Sequence, residues 1–268
     1  MQLKSRKGTP PKEKYISPYK VDERWYLAPI SEHCVPSTIL NVRMRKRFPK
    51  VILSFSGGKD SIASYLALRE AGYKATDIIP IFLYWIPKLE FEEKSLAYFE
   101  EHLFEGVHIE RLPHTALYKL LNELIFQPPE RCSIIEDLGL PYNDYGDLVE
   151  CIIEDYKLPK DQFYAFGMRA TDSLTRYSVF KNYGPVSERE RKWSCVWDWR
   201  LAKVIHEIRR HGIKLPPDYV MFGRTFDGID FRFLYPLKKY YPRDYEKVLE
   251  WFPLADLEIY RYEHRNKA

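Results

Sequence analysis

Cysteine is scarce in this chain, and its copies stand far apart. Cys34, Cys132, Cys151 and Cys195 come no closer to one another than 19 residues. That spacing excludes CxxC pairs, and with them the usual zinc and iron–sulfur ligation. No apolar run approaches the ~20 residues of a membrane span, so no membrane partner is expected. No signal peptide precedes the thiols, and free thiols without secreted spacing predict a reducing, cytoplasmic setting. Internal repeats are missing. The seven histidines are scattered, none at metal spacing with a cysteine or carboxylate, and none is assigned a role.

Aromatic residues are plentiful, with 21 Tyr and 15 Phe. They fill a core or serve as stacking platforms for bases, and the first use is the more general. Charge is unevenly spread. Residues 1–50 hold 12 Lys and Arg against 4 Asp and Glu, leaving 30 basic and 34 acidic residues in the remainder. Such asymmetry suits either a solvated leader or an arm that meets DNA, RNA or a protein partner. A second basic run, "RMRKRFPK" (Arg43 to Lys50), is a solubilising flank or a rim of positive charge near a polyphosphate.

Beyond the Lys- and Pro-rich first 40 residues the texture becomes periodic. "VILSFS" from Val51 reads as a buried strand, and "KDSIASYLALREAG" as a helix stopped at Gly72. "DIIPIFLYW", "VHIERL" and "QFYAFGMR" are further strands. "LEFEEKSLAYFEEHLF", "TALYKLLNELIF" and "YGDLVECIIEDYK" are helices between them, with 130–145 a loop. Thr171 is placed to cap a helix through "DSLTRYSVF". Strand–helix alternation predicts an α/β domain with a parallel, twisted sheet and flanking helices. Later, "DWRLAKVIHEIRRHG" reads as a helix, and Tyr219 to Tyr235 as a hairpin around Asp227-Gly228. The C-terminal part is therefore expected to be an α+β appendage.

The most informative stretch is "SFSGGKDS", Ser54 to Ser61. A glycine-rich turn between a buried strand and a helix aims unpaired N–H groups and the helix dipole at one point, where an anion sits well. Gly57 and Gly58 permit close approach, Lys59 neutralises phosphate, and Ser56 and Ser61 offer hydroxyls. Asp60 orients the loop or helps to hold Mg²⁺ with a substrate phosphate. A Walker loop is excluded, because it requires G-x-x-x-x-G-K-[ST] whereas here the glycines are adjacent and Lys precedes Asp.

SGGKDS at such a turn resembles the pyrophosphate loop (PP-loop) of the N-type ATP pyrophosphatase, or adenine nucleotide alpha hydrolase-like, superfamily. Within it the chain is most similar to the phosphoadenosine phosphosulfate (PAPS) reductase-like family, from about Val51 to Tyr235. "FGMRATDSLTR" looks like that family's strand-end G-x-R with a downstream Arg. "KWSCVWDWRLAKVIHEIRRHGIKLPPDY" looks like its tryptophan-containing helix start and following Tyr turn, without the expected proline. The resemblance implies ATP or a related adenine nucleotide with Mg²⁺ at Ser54, Ser56, Gly57, Gly58, Lys59, Asp60 and Ser61. Leu83 and Tyr84 would meet the adenine through their main chain, and Gly167 would allow close approach. Arg169 and Arg176 would clamp a substrate anion, and Arg224 would close the site. Lys59, Asp60 and Arg169 are the implied catalytic residues, with Asp60 the metal ligand. Trp193, Trp197 and Trp199 are core residues or stacking groups. On this division residues 1–45 are a basic arm, 46–190 the nucleotide-binding domain and 191–268 a substrate or lid region on the same domain.

Departures from the family narrow the chemistry. The second strand ends "FLYW" instead of the common Asp-Thr-Gly, and no cysteine follows Cys195. Sulfonucleotide reductases of this family need a C-terminal nucleophilic cysteine, so adenylation of an acceptor with pyrophosphate release is the leading expectation. A sulfonucleotide reductase using Cys195, a non-catalytic nucleotide sensor and a nucleic-acid modification enzyme are the alternatives.

Overall fold

The structure, a computed structural model, describes residues 15–264. The first 14 residues of the expected arm and the last four residues lie outside the described residues. In chain order, α1 (Ser37–Arg47) leads into β1 (Val51–Ser54), α2 (Lys59–Glu70) and β2 (Ile78–Tyr84). Next come α3 (Glu90–His102), β3 (Glu110–Pro113), α4 (Thr115–Asn122), α5 (Pro129–Leu138) and α6 (Tyr145–Asp155). Then follow β4 (Tyr164–Phe166), α7 (Leu174–Tyr183), β5 (Val186–Ser187), β6 (Lys192–Ser194) and α8 (Leu201–Arg210). Four helices finish the described chain: α9 (Asp218–Met221), α10 (Phe231–Tyr240), α11 (Pro242–Trp251) and α12 (Asp256–His264).

The fold is α/β. One six-stranded sheet has the order β3-β2-β1-β4-β6-β5, parallel except for the β5–β6 pair. β1 lies at its centre, with Val51 opposite Ile78 and Ile52 opposite Tyr164. Val51, Ile52 and Leu53 are all fully buried. Both sides of this strand are covered, which is why it is a continuous apolar run and not an alternating one. One face packs Val51 and Leu53 against Ile62 and Leu66 of α2, Phe99 of α3 and Val204 of α8. The other packs Ile52, Ile79 and Ile81 against Val149, Ile152 and Ile153 of α6. A separate apolar cluster joins Phe91 and Leu117 to Phe233, Leu237, Val248 and Phe252 of the C-terminal helices.

The expected strands and helices of the 46–190 domain are present, with shorter third and fourth strands. The sheet does not stop at residue 190, since β6 extends it and α8 packs on α2. Region 130–145 is not all loop. Pro129 starts α5, and Gly139 ends it in the left-handed region at φ 56°. Thr171 sits in a 3-10 turn, while Ser173 caps α7 by accepting the Arg176 N–H at 3.2 Å. The expected hairpin at 219–235 is also absent. Asp230 accepts the Arg232 N–H at 2.9 Å and starts α10, and Phe233, Leu234 and Leu237 then share one buried helical side. Beyond β6 the regular elements of the C-terminal appendage are accordingly helical over its described residues.

The arm differs most from expectation. Residues 25–44 are bound to the stretch Trp193–Arg200. Leu27 N–H donates to the Asp198 carbonyl at 2.6 Å, and Arg200 N–H to the Trp25 carbonyl at 2.9 Å. Asn41 accepts the Trp193 indole N–H at 3.0 Å and donates to the Cys195 carbonyl at 2.9 Å. The Trp197 indole donates to the Val35 carbonyl at 2.8 Å. Trp193, Trp197 and Trp199 are therefore core residues that hold the arm. Arg43 to Lys50 leads to the start of β1, so this run lies at the opposite end of that strand from the glycine loop and is not a rim around it.

Asp198 is fully buried and accepts the Ser37 N–H at the start of α1 at 3.0 Å. Burial pushes its carboxyl up from 3.8 to about 6, against the pull of Ser37. The folded chain then holds a proton that the unfolded chain has released. The stabilisation from Asp198 is full below about pH 4 and is lost as pH rises through about 6. Asp198→Asn keeps an oxygen for Ser37 and removes the titration. Urea unfolding from about pH 4 to pH 7 should show the wild type losing stability relative to the variant. Parallel curves would show that Asp198 does not titrate in the folded protein.

Candidate functional site

The strand order reverses between β1 and β4. Chain travel goes β1, β2, β3 to one side and β4, β6 to the other, which opens a crevice at the carboxyl ends of β1 and β4. Two loops border this crevice, Ser54 to Ser61 after β1 and Gly167 to Asp172 after β4. Ser54 ends β1 opposite Ile81. Gly57 takes φ +71°, a turn that a side chain would strain. Gly58 is the residue before α2 and has no side-chain cap, so the helix start keeps its amides for other partners. The Ser61 hydroxyl donates to the Gly58 carbonyl at 2.9 Å, and Ser56 accepts the Gly58 N–H at 3.4 Å. These bonds set the loop's shape.

Charged groups around the loop form an alternating row. Lys59 Nζ lies 2.7 Å from one oxygen of Asp60, and Arg169 Nε lies 2.8 Å from the other. Arg169 Nη2 continues to Asp172 at 2.5 Å, and Asp172 to Arg176 at 2.7 Å. Two carboxylates thus lie between three cations. Arg169 is only 3% exposed, and its Nη1 also reaches Thr171 Oγ1 at 3.3 Å and the Trp199 carbonyl at 3.4 Å. Four of its five N–H donors are taken by protein acceptors. The two arginines of the expected anion clamp are thus paired within the protein. Arg169 is a strut that fixes Asp60, and Arg176, exposed and paired with Asp172, is the end of the row.

Gly167 allows a close approach, but to the helix. A Cβ there would meet the Asp60 carbonyl and Ser64 Oγ, each at 2.8 Å. The end of β4 therefore rests directly on the first turn of α2. The two expected adenine neighbours, Leu83 and Tyr84, end β2. Ile81 accepts the Phe55 N–H at 2.8 Å, and Leu83, two residues on, turns its amide groups to the same side beyond the end of β1. The Tyr84 carbonyl is instead taken by the His114 N–H at 2.8 Å. His114 stacks on Trp85 with ring centroids 4.7 Å apart, and burial lowers its imidazole below the usual range.

Sequence reasoning placed a substrate or lid region at 191–268 but did not single out Tyr219. Residues 216–230 cover the glycine loop, and the Tyr219 hydroxyl accepts the Lys59 N–H at 2.9 Å. Thr225 lies 3.1 Å from the point where a Cβ on Gly58 would stand. Arg224, expected to close the site, is exposed in this roof and paired with Asp227. Beside Gly57 a cavity leaves about 20 Å³ for the centre of a water-sized sphere, lined in part by Ser56, Glu92, Ser95 and Asp218. Glu92 is 6% exposed, and burial, reinforced by Asp218, pushes its carboxyl well up. The one available signal for Tyr219 was its position closing the "KLPPDY" stretch.

Cys195 is fully buried, and burial pushes its thiol up to about 12. It is a packed thiol and not a nucleophile poised for attack. The chain matches no protein-family model and no curated protein.

Replacing Arg169 by Met leaves Asp60 and Asp172 without their shared cation. A loss of roughly 3–5 kcal/mol is expected in urea unfolding. Arg169→Lys should recover only part, because an ammonium cannot fork between both acids. Full stability in the Met variant would show that the strut is dispensable.

Proposed function

We propose that this protein is a PP-loop enzyme of adenine nucleotide alpha hydrolase-like fold that binds ATP at Ser54 to Ser61. It transfers the adenylyl group to an acceptor and releases pyrophosphate. The observation that carries this reading is the Gly57-Gly58 turn opening α2 at the point where the strand order reverses. Helix amides, a lysine and hydroxyls converge there, which suits a polyphosphate.

The acceptor's oxygen bonds to the α-phosphorus as the α–β bridging bond breaks, and pyrophosphate leaves with the bonding pair. Lys59 and the loop amides stabilise the charge that gathers on the leaving group, an effect of donors arranged beforehand. Lys59 rests on Asp60 at 2.7 Å. Its move onto phosphate frees an Asp60 oxygen, while Arg169 still holds the other. That freed oxygen suits Mg²⁺, a hard cation usually held by one or two carboxylates plus substrate phosphates. Bound there, Mg²⁺ would neutralise phosphate charge. The buried Cys195 supports adenylyl transfer over sulfonucleotide reduction.

Purified protein incubated with labelled ATP and Mg²⁺ should bind nucleotide and release pyrophosphate once an acceptor is supplied. Lys59→Ala should weaken ATP binding roughly ten- to hundredfold, the value of a charge-assisted bond. Tight binding without pyrophosphate or AMP release under any acceptor would favour a nucleotide sensor. No binding at all would end the reading.

A further inference from the structure

The roof over the loop has taken one of the loop's own anion-binding groups. Lys59 N–H is the first amide of α2, and a polyphosphate at this helix start needs it. Its acceptor here is the Tyr219 hydroxyl, at 2.9 Å. The same hydroxyl stands 3.4 Å from the position of a Cβ on Gly58, and Thr225 Cγ2 stands 3.1 Å from it. The roof therefore touches the loop at the point a phosphate oxygen would occupy. A single N–H makes one good bond, so tyrosine and phosphate compete for it.

The roof is attached in a way that permits release. α9 is only four residues long. Gly223 takes φ +71° close behind it, and Val220 and Arg224 face solvent. Its inner side is held by Phe226, which packs among Phe91, Phe222 and Phe233, and by Asp218, which accepts the Phe226 N–H at 2.9 Å. Across the small cavity Asp218 faces Glu92 of α3. Among the described residues neither acid has an ion-pair partner, so no salt bridge fastens the roof at this point.

We propose that the Tyr219 hydroxyl is a place-holder for a phosphate oxygen, and that the 216–230 roof swings Tyr219 off Lys59 N–H when a polyphosphate enters. The inference rests on the pyrophosphate-loop reading above. Binding of a polyphosphate then includes breaking the bond between Lys59 N–H and Tyr219.

Calorimetric titration with pyrophosphate and with ATP–Mg²⁺ tests this in wild type and Tyr219→Phe, which keeps the ring and removes the hydroxyl. The variant should bind roughly two- to tenfold more tightly, the net value of one neutral hydrogen bond. Unchanged or weaker binding overturns the place-holder and leaves the pyrophosphate-loop reading intact. No binding to either protein overturns both. Hydrogen exchange on the wild type needs no variant. Peptides covering 216–230 should exchange faster at saturating pyrophosphate, and slower exchange there overturns the proposal.

Discussion

The contact between Asp60 and Arg169 joins the two halves of the sheet where their directions part. Asp60 belongs to the first turn of the helix after β1, and Arg169 to the loop after β4. Because Arg169 is nearly inaccessible to water, its charge is tolerated only with partners on several sides. Asp60, Asp172, Thr171 and the Trp199 carbonyl supply them. The glycine at 167 follows from the same constraint, since the pair forms only if the end of β4 lies against α2. Through Trp199 the pair also reaches the tryptophan stretch that receives the N-terminal segment. Loop, sheet and arm thus share one buried guanidinium.

The site has a floor and a roof that rest on different cores. Its floor, the glycine loop, is part of the central sheet and its flanking helices. Its roof grows from the C-terminal helices, whose apolar cluster is a separate one. Rigid positioning of the loop and mobility of its cover are compatible for this reason. A cover that shared the core of the sheet would disturb the loop whenever it shifted.

The loop and the central strands were legible because their signals are local. An apolar run, two glycines and a following amphipathic pattern lie within some 20 residues, and each supports the others. Arg169 was legible as a charged group beside the loop, but its partners were not. Its type suggests an anion clamp, and only the positions of Asp60 and Asp172 show that its donors are already committed. Asp227-Gly228 misled for a related reason. The dipeptide is a strong hairpin signal, but Asp230 offers a helix cap immediately after it, and burial of Phe233 and Leu237 decides between them. Tyr219 gave only the weak signal of closing "KLPPDY", because its partner lies 160 residues away in the chain. The tryptophans read as core with equal justice to stacking groups until their indole partners in the arm were seen.

The binding of residues 25–44 to Trp193–Arg200 bears on how the protein is made. Asn41 and its partner Cys195 are separated by 154 residues. During synthesis the arm leaves the ribosome long before the strip that receives it exists. At about 5–20 residues per second it waits roughly 8–30 seconds with Leu40 and Met44 uncovered. Its polar positions, among them Ser31, Glu32, Ser37, Thr38, Asn41 and Arg43, are then useful in their own right, keeping a waiting segment dissolved until its tryptophans arrive.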